Sequence, residues 1–341
     1  MSKVNQGNIS SRFSVLMANY NNGKYIGEAI ESVLNQSFTD WELIVVDDSS
    51  TDNSVDIIEH YLNDHRIRFM KNMKNMGYTK TLVQLVSKVR SNVFGTLDSD
   101  DVLTPEALEE MYHAHESNPQ SGFIYSQYIY CDKELRPLGQ GLSQAIPNGS
   151  TNLRNMYTGA FRTFKRDIYQ KTEGFNPKYI YTEDRDIVLK MEEVTDVLFV
   201  EEPLYLHRVL SKGQSNDPKK KKLGYLSYNL AKYDAFCRRS GTQIPNLTNK
   251  EMSVELFFTA VIFFRLKRRE DFIKYMRLAI DLNPTLFFSM FNYLFSKVII
   301  RIYYLFSANK SGSPLIYSKV NREIKKQLAE ADHDLQIVNR T

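Results

Sequence analysis

The chain is poor in cysteine, in glycine-rich turns and in net charge, and each shortage excludes something. Its two cysteines, Cys131 and Cys237, stand far apart and in no metal-ligand spacing, so a reducing compartment is expected. No Gly-x-Gly-x-x-Gly turn and no Gly-Lys-Ser/Thr loop follows the early strand-like runs. Phosphates are therefore not cradled by glycine-rich backbone in the usual ways. A formal net charge of +4 is too mild to imply nucleic acid, and no nucleic-acid partner is expected. There is no low-complexity tract, and the opening "MSKVNQGNISSRF" carries no apolar run of the kind a secretory signal needs.

What is present is an alternation of short apolar runs and helical patterns. "RFSVLM", "WELIVVD", "RIRFM", "NVFGTL" and "GFIYSQYIYC" read as strands. Between them, "KYIGEAIESVLNQ", "NSVDIIEHYLND", "GYTKTLVQLVSKVRS" and "TPEALEEMYHAHES" carry apolar residues at helical spacing. Thr104 is placed to cap the last of these, with Pro105 in its first turn. This order predicts an α/β fold, a mostly parallel sheet flanked by helices. The pattern weakens from Asp132 to Gly159, as expected of a functional loop. Helices are expected again at "KRDIYQKT" and "TEDRDIVLKMEEV", before "DVLFVEEPLYLHRV". "SKGQSNDPKKKK" reads as a boundary, and the chain beyond it as a helical tail. The expected organisation is thus a flexible 1–12, a catalytic domain over 13–216 and a helical region over 217–341. "REDFIKYMRLAIDLNP" resembles one helix of a tetratricopeptide pair, but a solenoid needs about three repeats and at most one is visible.

In open parallel sheets, ligands bind outside the carboxyl ends of the strands. Here those ends carry Ala18-Asn19-Tyr20, Asp47-Asp48 and Asp98-Ser99-Asp100-Asp101. Carboxylates repel a polyphosphate directly but hold it through a hard cation, Mg²⁺ or Mn²⁺, which shares its shell with phosphate oxygens. Asp98 and Asp100 are the candidate ligands. The plain alternative is that the acidic stretch solvates a turn and caps the next helix. Asp48, Ser50, Asp52 and Glu59 fall at calcium-loop offsets. Asn53 stands where that loop needs glycine, and a strand precedes it, so Asp52 or Asn53 is instead expected to cap the following helix.

"SVLMANYNNGKYIGEAIESVLNQSFTDWELIVVDDSSTDNS", "NMGYTK", "GTLDSDD" and "YTEDRDIVLKMEE" followed by "EEPLYLHRV" together resemble the inverting family 2 glycosyltransferases of GT-A fold, over roughly Phe13 to Gln214. The resemblance implies a nucleotide diphosphate sugar donor, UDP-linked by expectation, and a glycan or lipid-linked oligosaccharide acceptor. It implies a base site at Ala18, Asn19 and Tyr20, with Tyr20 as the stacking ring and Asp48 accepting from the imide. It also implies Asp98 and Asp100 as the Asp-x-Asp pair around Ser99, and Asp184 as the catalytic base. An inverting transfer needs one such base and no second acid. The alternative for "EDRD" is ordinary first-turn acid on a helix. Many members carry a histidine after the "PLY" strand where Leu210 stands, which leaves water or His207 for the third metal position. Arg208 is placed near the diphosphate.

Competing readings are a nucleotidyltransferase, for which the basic or glycine-rich loop is missing, and a non-catalytic nucleotide-sugar or carbohydrate binding module, which would have no use for Asp184. In the tail, Thr285–Phe306 is about long enough to span a bilayer. Lys297 and Arg301 share a face there with Ser289, Tyr293 and Ser296, which disfavours spanning. A helix packed on the protein and a helix lying in a membrane surface both fit. With Lys219–Lys222 and Arg265–Arg269 nearby, peripheral attachment at the inner face of the cell membrane, in the cytoplasm, is the expectation.

Overall fold

The computed structural model describes residues 11–179, 181–210 and 218–285. These form two compact units that meet in sequence between Thr248 and Asn249.

The first unit is built on one nine-stranded sheet with helices packed on it. Strands β1 (Phe13–Asn19), β2 (Trp41–Asp47), β3 (Ile67–Lys71) and β4 (Val93–Thr96) form a parallel half in the order β3-β2-β1-β4. Every residue of β1 and β2 is buried, which is why both read as unbroken apolar runs rather than alternating ones. Helix α1 (Ile26–Leu34) returns the chain from β1 to β2, and α2 (Ser54–Glu59) and α3 (Tyr78–Val86) make the next two crossings. The α1 stripe of Ile26, Ala29, Ile30 and Val33 is wholly buried, at the spacing an amphipathic helix requires. Gly95 in β4 meets a close neighbour: a Cβ there would lie 2.7 Å from the Phe161 ring, so any larger residue would push the ring away.

The parallel order stops at β4. Strand β5 (Val102–Leu103) is short, and α4 (Ala107–Ser117) leads to the long β6 (Ser121–Cys131). β7 (Pro137–Gln140) hangs on β6, and β8 (Arg162–Lys165) runs antiparallel between β4 and β6. After the short helix α5 (Arg166–Tyr169) and α6 (Glu183–Met191), strand β9 (Asp196–Arg208) pairs parallel with β6 and antiparallel with β5. The sheet is therefore mixed: β5, β7 and β8, too short or too polar for a periodic signal, supply its antiparallel pairings. One capping expectation changes: Glu106, not Thr104, flanks α4, and it makes no side-chain cap bond. Ahead of α2, Asn53 makes no such bond, but Asp52, the other candidate, accepts from the Ser54 N–H at the start of the helix and from the Gly23 N–H.

Helix α7 (Pro218–Arg239) belongs to this first unit, so the compact body continues past the boundary expected at 216/217. The reason is a lengthwise packing on α6. Lys220 Nζ lies 5.8 Å from the centroid of the Tyr181 ring, Gly224 faces Tyr181 and Thr182, and the Arg185 guanidinium sits 4.5 Å over Tyr228. Residues 220, 224 and 228 are four apart and share a helix face. At the other end, Arg239 donates to Glu192 at 2.9 Å and to the Leu189 carbonyl at 2.7 Å, and Arg238 holds Glu193 at 2.7 Å. The second unit is a helical hairpin of α8 (Asn249–Arg265) and α9 (Arg269–Leu282), closed by a Phe263–Tyr275 stack at 5.2 Å. Arg265–Arg269 is exposed throughout.

Candidate active site

The parallel half delivers its strand ends to one edge, and there the acidic residues divide into two kinds. Asp47 and Asp48 are fully engaged. Asp47 accepts from the Asn19 side-chain amide at 2.8 Å, and from the backbone and hydroxyl of Ser50. Asp48 is buried and accepts from Asn72 Nδ2 at 2.8 Å, from the Met76 N–H at 2.9 Å and from the Gly77 N–H at 2.7 Å. Its carboxylate closes the loop between β3 and α3. An incoming imide would have to displace one of these bonds.

The stretch after β4 is different. Asp101 is tied to β9: it accepts from Tyr205 Oη at 2.8 Å, from the Arg208 N–H at 2.7 Å and from His207 Nδ1 at 3.1 Å. Asp98 accepts from Tyr78 Oη at 2.5 Å. Asp100 meets nothing beyond its own backbone N–H among the described residues. Burial, then the charges of Asp101 and Asp98, push Asp100 up to about 7. Burial and Asp101 raise Asp98 as well. Burial pulls the His207 imidazole down, but its bond to Asp101 and the charges of Asp101, Asp98 and Asp100 outweigh this and raise it. Tyr78 and Tyr205 are held far above their ordinary range, by burial first and then by the same carboxylates, so both remain O–H donors at neutral pH.

A hard divalent cation suits this donor set. Two half-buried carboxylates, neither in an ion pair among the described residues and both raised in pKa, are the chemistry Mg²⁺ or Mn²⁺ accepts. Asp98 and Asp100 would hold it. Among the described residues, no cluster of three or more His, Cys, Asp or Glu is arranged as a complete site, so other oxygens would fill the remaining positions.

The rest of the expected residues fall around this edge. Ala18 is buried in the core between the sheet and α3. Asn19 is buried, its amide bridging Asp47 and Ser50 and its Oδ1 left without a partner. Tyr20 is 47% exposed at the end of β1, as a stacking platform must be. Ser99 accepts from the Asn22 amide at 2.8 Å, fastening the β4 loop to the β1–α1 loop. Arg208 reaches α1 rather than the acidic loop: its guanidinium lies 4.5 Å over the Tyr25 ring and donates to Glu28 at 2.7 Å. Its Nε and Nη1 are buried and unpaired.

Asp184 is the second residue of α6, with its side chain 38% exposed and paired to Arg162 Nη2 at 2.9 Å. Glu183 beside it is buried, and burial, then Asp184, push it up to about 8. Sequence reasoning missed Arg162, and gave Tyr78 and Asp101 no role. Tyr78 lay inside "NMGYTK", a motif already singled out. Arg162 sits on β8, which carried no strand signal.

Comparison with known proteins bears on the fold and the family. The family model described as Glycosyl transferase family 2 matches residues 14–172. Residues 14–172 of the first unit thus match that family, and its fold is that of the GT-A glycosyltransferases. A chondroitin synthase from Escherichia coli is 33% identical over 208 residues, covering 61% of this chain and 30% of the relative; the chain thus spans under a third of that protein's length. Among solved structures, S. aureus TarS 1–349 in complex with UDP-GlcNAc is similar at a TM-score of 0.53 and 16% identity, covering 82% of this chain and 75% of the other. A mannosyltransferase from Pyrobaculum calidifontis in complex with GDP-Man and Mn²⁺ is similar at a TM-score of 0.51 and 14% identity, over 80% and 86%. These last two likenesses speak to the fold.

Proposed function

We propose that the chain is an inverting glycosyltransferase that moves a sugar from a nucleotide diphosphate sugar, a UDP-sugar, to a hydroxyl of a glycan or lipid-linked acceptor. The observation that carries this is the pair Asp98 and Asp100, half-buried at the same sheet edge as the exposed Tyr20 and raised in pKa by desolvation and by Asp101. The relatives add weight, since TarS is described with UDP-GlcNAc bound. Tyr20 stacks on the base, at a cost on loss of roughly 1–3 kcal/mol. Asp98 and Asp100 would hold a divalent cation, which when bound would offset the charge of the departing diphosphate. Asp184, held by Arg162, takes the proton of the acceptor hydroxyl. The acceptor oxygen then bonds to the anomeric carbon as the bond to the phosphate oxygen breaks, and its electron pair leaves with the nucleotide. A single base and no general acid suffices.

Asp184→Asn preserves shape and removes the proton acceptor. Transfer should fall about a hundredfold or more, while UDP affinity in Mn²⁺, read by calorimetry, stays close to wild type. An equal fall in donor affinity would make Asp184 a binding residue and overturn the assignment.

Peripheral attachment to the cytoplasmic membrane face belongs to the same proposal. No helix among the described residues is long and apolar enough to cross a membrane. Thr285–Phe306 lies beyond the described residues apart from Thr285. The exposed basic run Arg265–Arg269 supports the reading, and salt-sensitive flotation with anionic liposomes tests it.

A further inference from the structure

Beside the base lies a group of cations that the transfer chemistry above does not use. Arg185 follows Asp184 directly, and its guanidinium is drawn onto Tyr228 of α7. Lys220, two turns earlier on the same face of α7, sits over the ring of Tyr181, three residues before the base. Among the described residues neither side chain has a carboxylate partner; their contacts are with aromatic rings. This is unusual in its surroundings. Arg162, Arg208, Arg238 and Arg239 are each paired with an acid, and the pairs of α6 with α7 absorb both Glu192 and Glu193. Aromatic faces orient a cation while leaving its N–H groups free to bond elsewhere. Each cation so prepared can receive an anion.

The position says which anion. A general base faces the acceptor hydroxyl, so the residue after it and the segment leading to it border the acceptor. The donor's groups come from the ends of β1, β2 and β4, whereas Arg185 turns away from them onto α7. Resting on the glycosyltransferase reading, we infer that Arg185 and Lys220 read a carboxylate or phosphate on the acceptor, and that the acceptor is an acidic glycan. Helix α7, outside the residues that match the family model, is then the element that selects the acceptor.

The test uses the full chain with UDP and Mn²⁺ present. The probes are a fluorescently labelled chondroitin hexasaccharide, the same hexasaccharide with its carboxyls reduced, and a poly(ribitol phosphate) fragment. Fluorescence anisotropy should show one of the acidic probes binding about tenfold or more tighter than the reduced one, the size of one charge-assisted contact. Added salt should weaken that preference. Lys220→Gln and Arg185→Gln should each reduce it, and Lys220→Arg should keep most of it. Melting temperatures identify a variant that has lost α7 packing rather than recognition, and Lys220→Gln leaves the Arg185–Tyr228 contact in place. Equal binding of all three probes would overturn the inference. A rise in the KM for the UDP-sugar with no change in probe binding would also overturn it, and assign both cations to the donor diphosphate. Hydrolysis of the UDP-sugar without acceptor separates the two levels. Its absence in wild type would sink the glycosyltransferase reading itself, whereas hydrolysis with no preference for acid sinks only this one.

Discussion

Two acidic loops stand side by side at the edge of the sheet, and they are treated in opposite ways. At the end of β2, Asp48 is buried among donors: an amide and two backbone N–H groups converge on it. At the end of β4, Asp100 is half-buried and has no such partners, so desolvation pushes it up to about 7. Both are aspartates in loops that leave the same edge of the sheet. The difference is in what each carboxylate touches, and it separates a charge that stabilises the fold from one kept at the fold's expense. A buried polar group without a partner costs stability, and such a cost is maintained where a ligand meets it.

Breaking the comparison at Asp100 should have the largest effect. Asp100→Ala is expected to lower sugar transfer by about a hundred- to a thousandfold, the scale of lost electrostatic stabilisation, with the fold intact by circular dichroism. Turnover undiminished by this change, or by excess chelator in wild type, would mean that the two loops do not differ in function.

The complementary change, Asp48→Ala, should act on stability. It strands the Met76 and Gly77 N–H groups and the Asn72 amide, at about 2–4 kcal/mol, read as a lower midpoint in urea. A variant as stable as wild type would show that the β3–α3 loop does not depend on this carboxylate.

A smaller effect follows from pH, and its sign can be worked out. Asp100 is raised from an ordinary carboxylate value to about 7 in the folded protein. Its protonated form therefore favours folding. That contribution is complete below about pH 4 and is lost as pH rises through 7. Glu183, at about 8, acts in the same direction. In chelator, the melting temperature of wild type should fall between pH 5 and pH 8. Asp100→Asn should fall less steeply and melt higher than wild type at pH 8, by about 1 kcal/mol or more in stability, although inactive. Mn²⁺ should flatten the wild-type profile. A melting temperature that rose with pH would reverse the assignment.

The smallest effect is expected at Asp98, which stands between the two extremes. Tyr78→Phe removes the hydroxyl that donates to it and brings Asp98 closer to the condition of Asp100. A loss of about 1 kcal/mol in stability is expected, with the Mn²⁺ requirement retained. If that requirement disappeared, Tyr78 would be part of the cation site and not a neighbour of it.

Much of the architecture was legible in the sequence because it follows from local periodicity. The buried runs of β1 and β2 and the apolar stripe of α1 announce their partners whatever the rest of the chain does, and the order of these elements implies which strand ends share an edge. Tyr20 at the end of β1 and Asp184 at the start of α6 could be placed for that reason. β8 could not, because four residues with one charged end give no period, and with it went Arg162, the partner of Asp184. The extent of the first unit was hidden as well, since α7 is joined to α6 by pairs such as Arg239–Glu192, 47 residues apart.

By itself, then, the sequence determined which acidic residues reach the edge of the sheet, since a strand's end and its apolar run are written together. It could not determine which of them would be free. Asp48 is satisfied by donors 24 to 29 residues away, and Asp101 by Tyr205 and Arg208, 104 and 107 residues away. Asp100, next in the chain to Asp101, is reached by none of them. A carboxylate's role here depends on whether donors converge on it in three dimensions, because in a buried site a hydrogen bond's presence or absence outweighs the identity of the group that would make it.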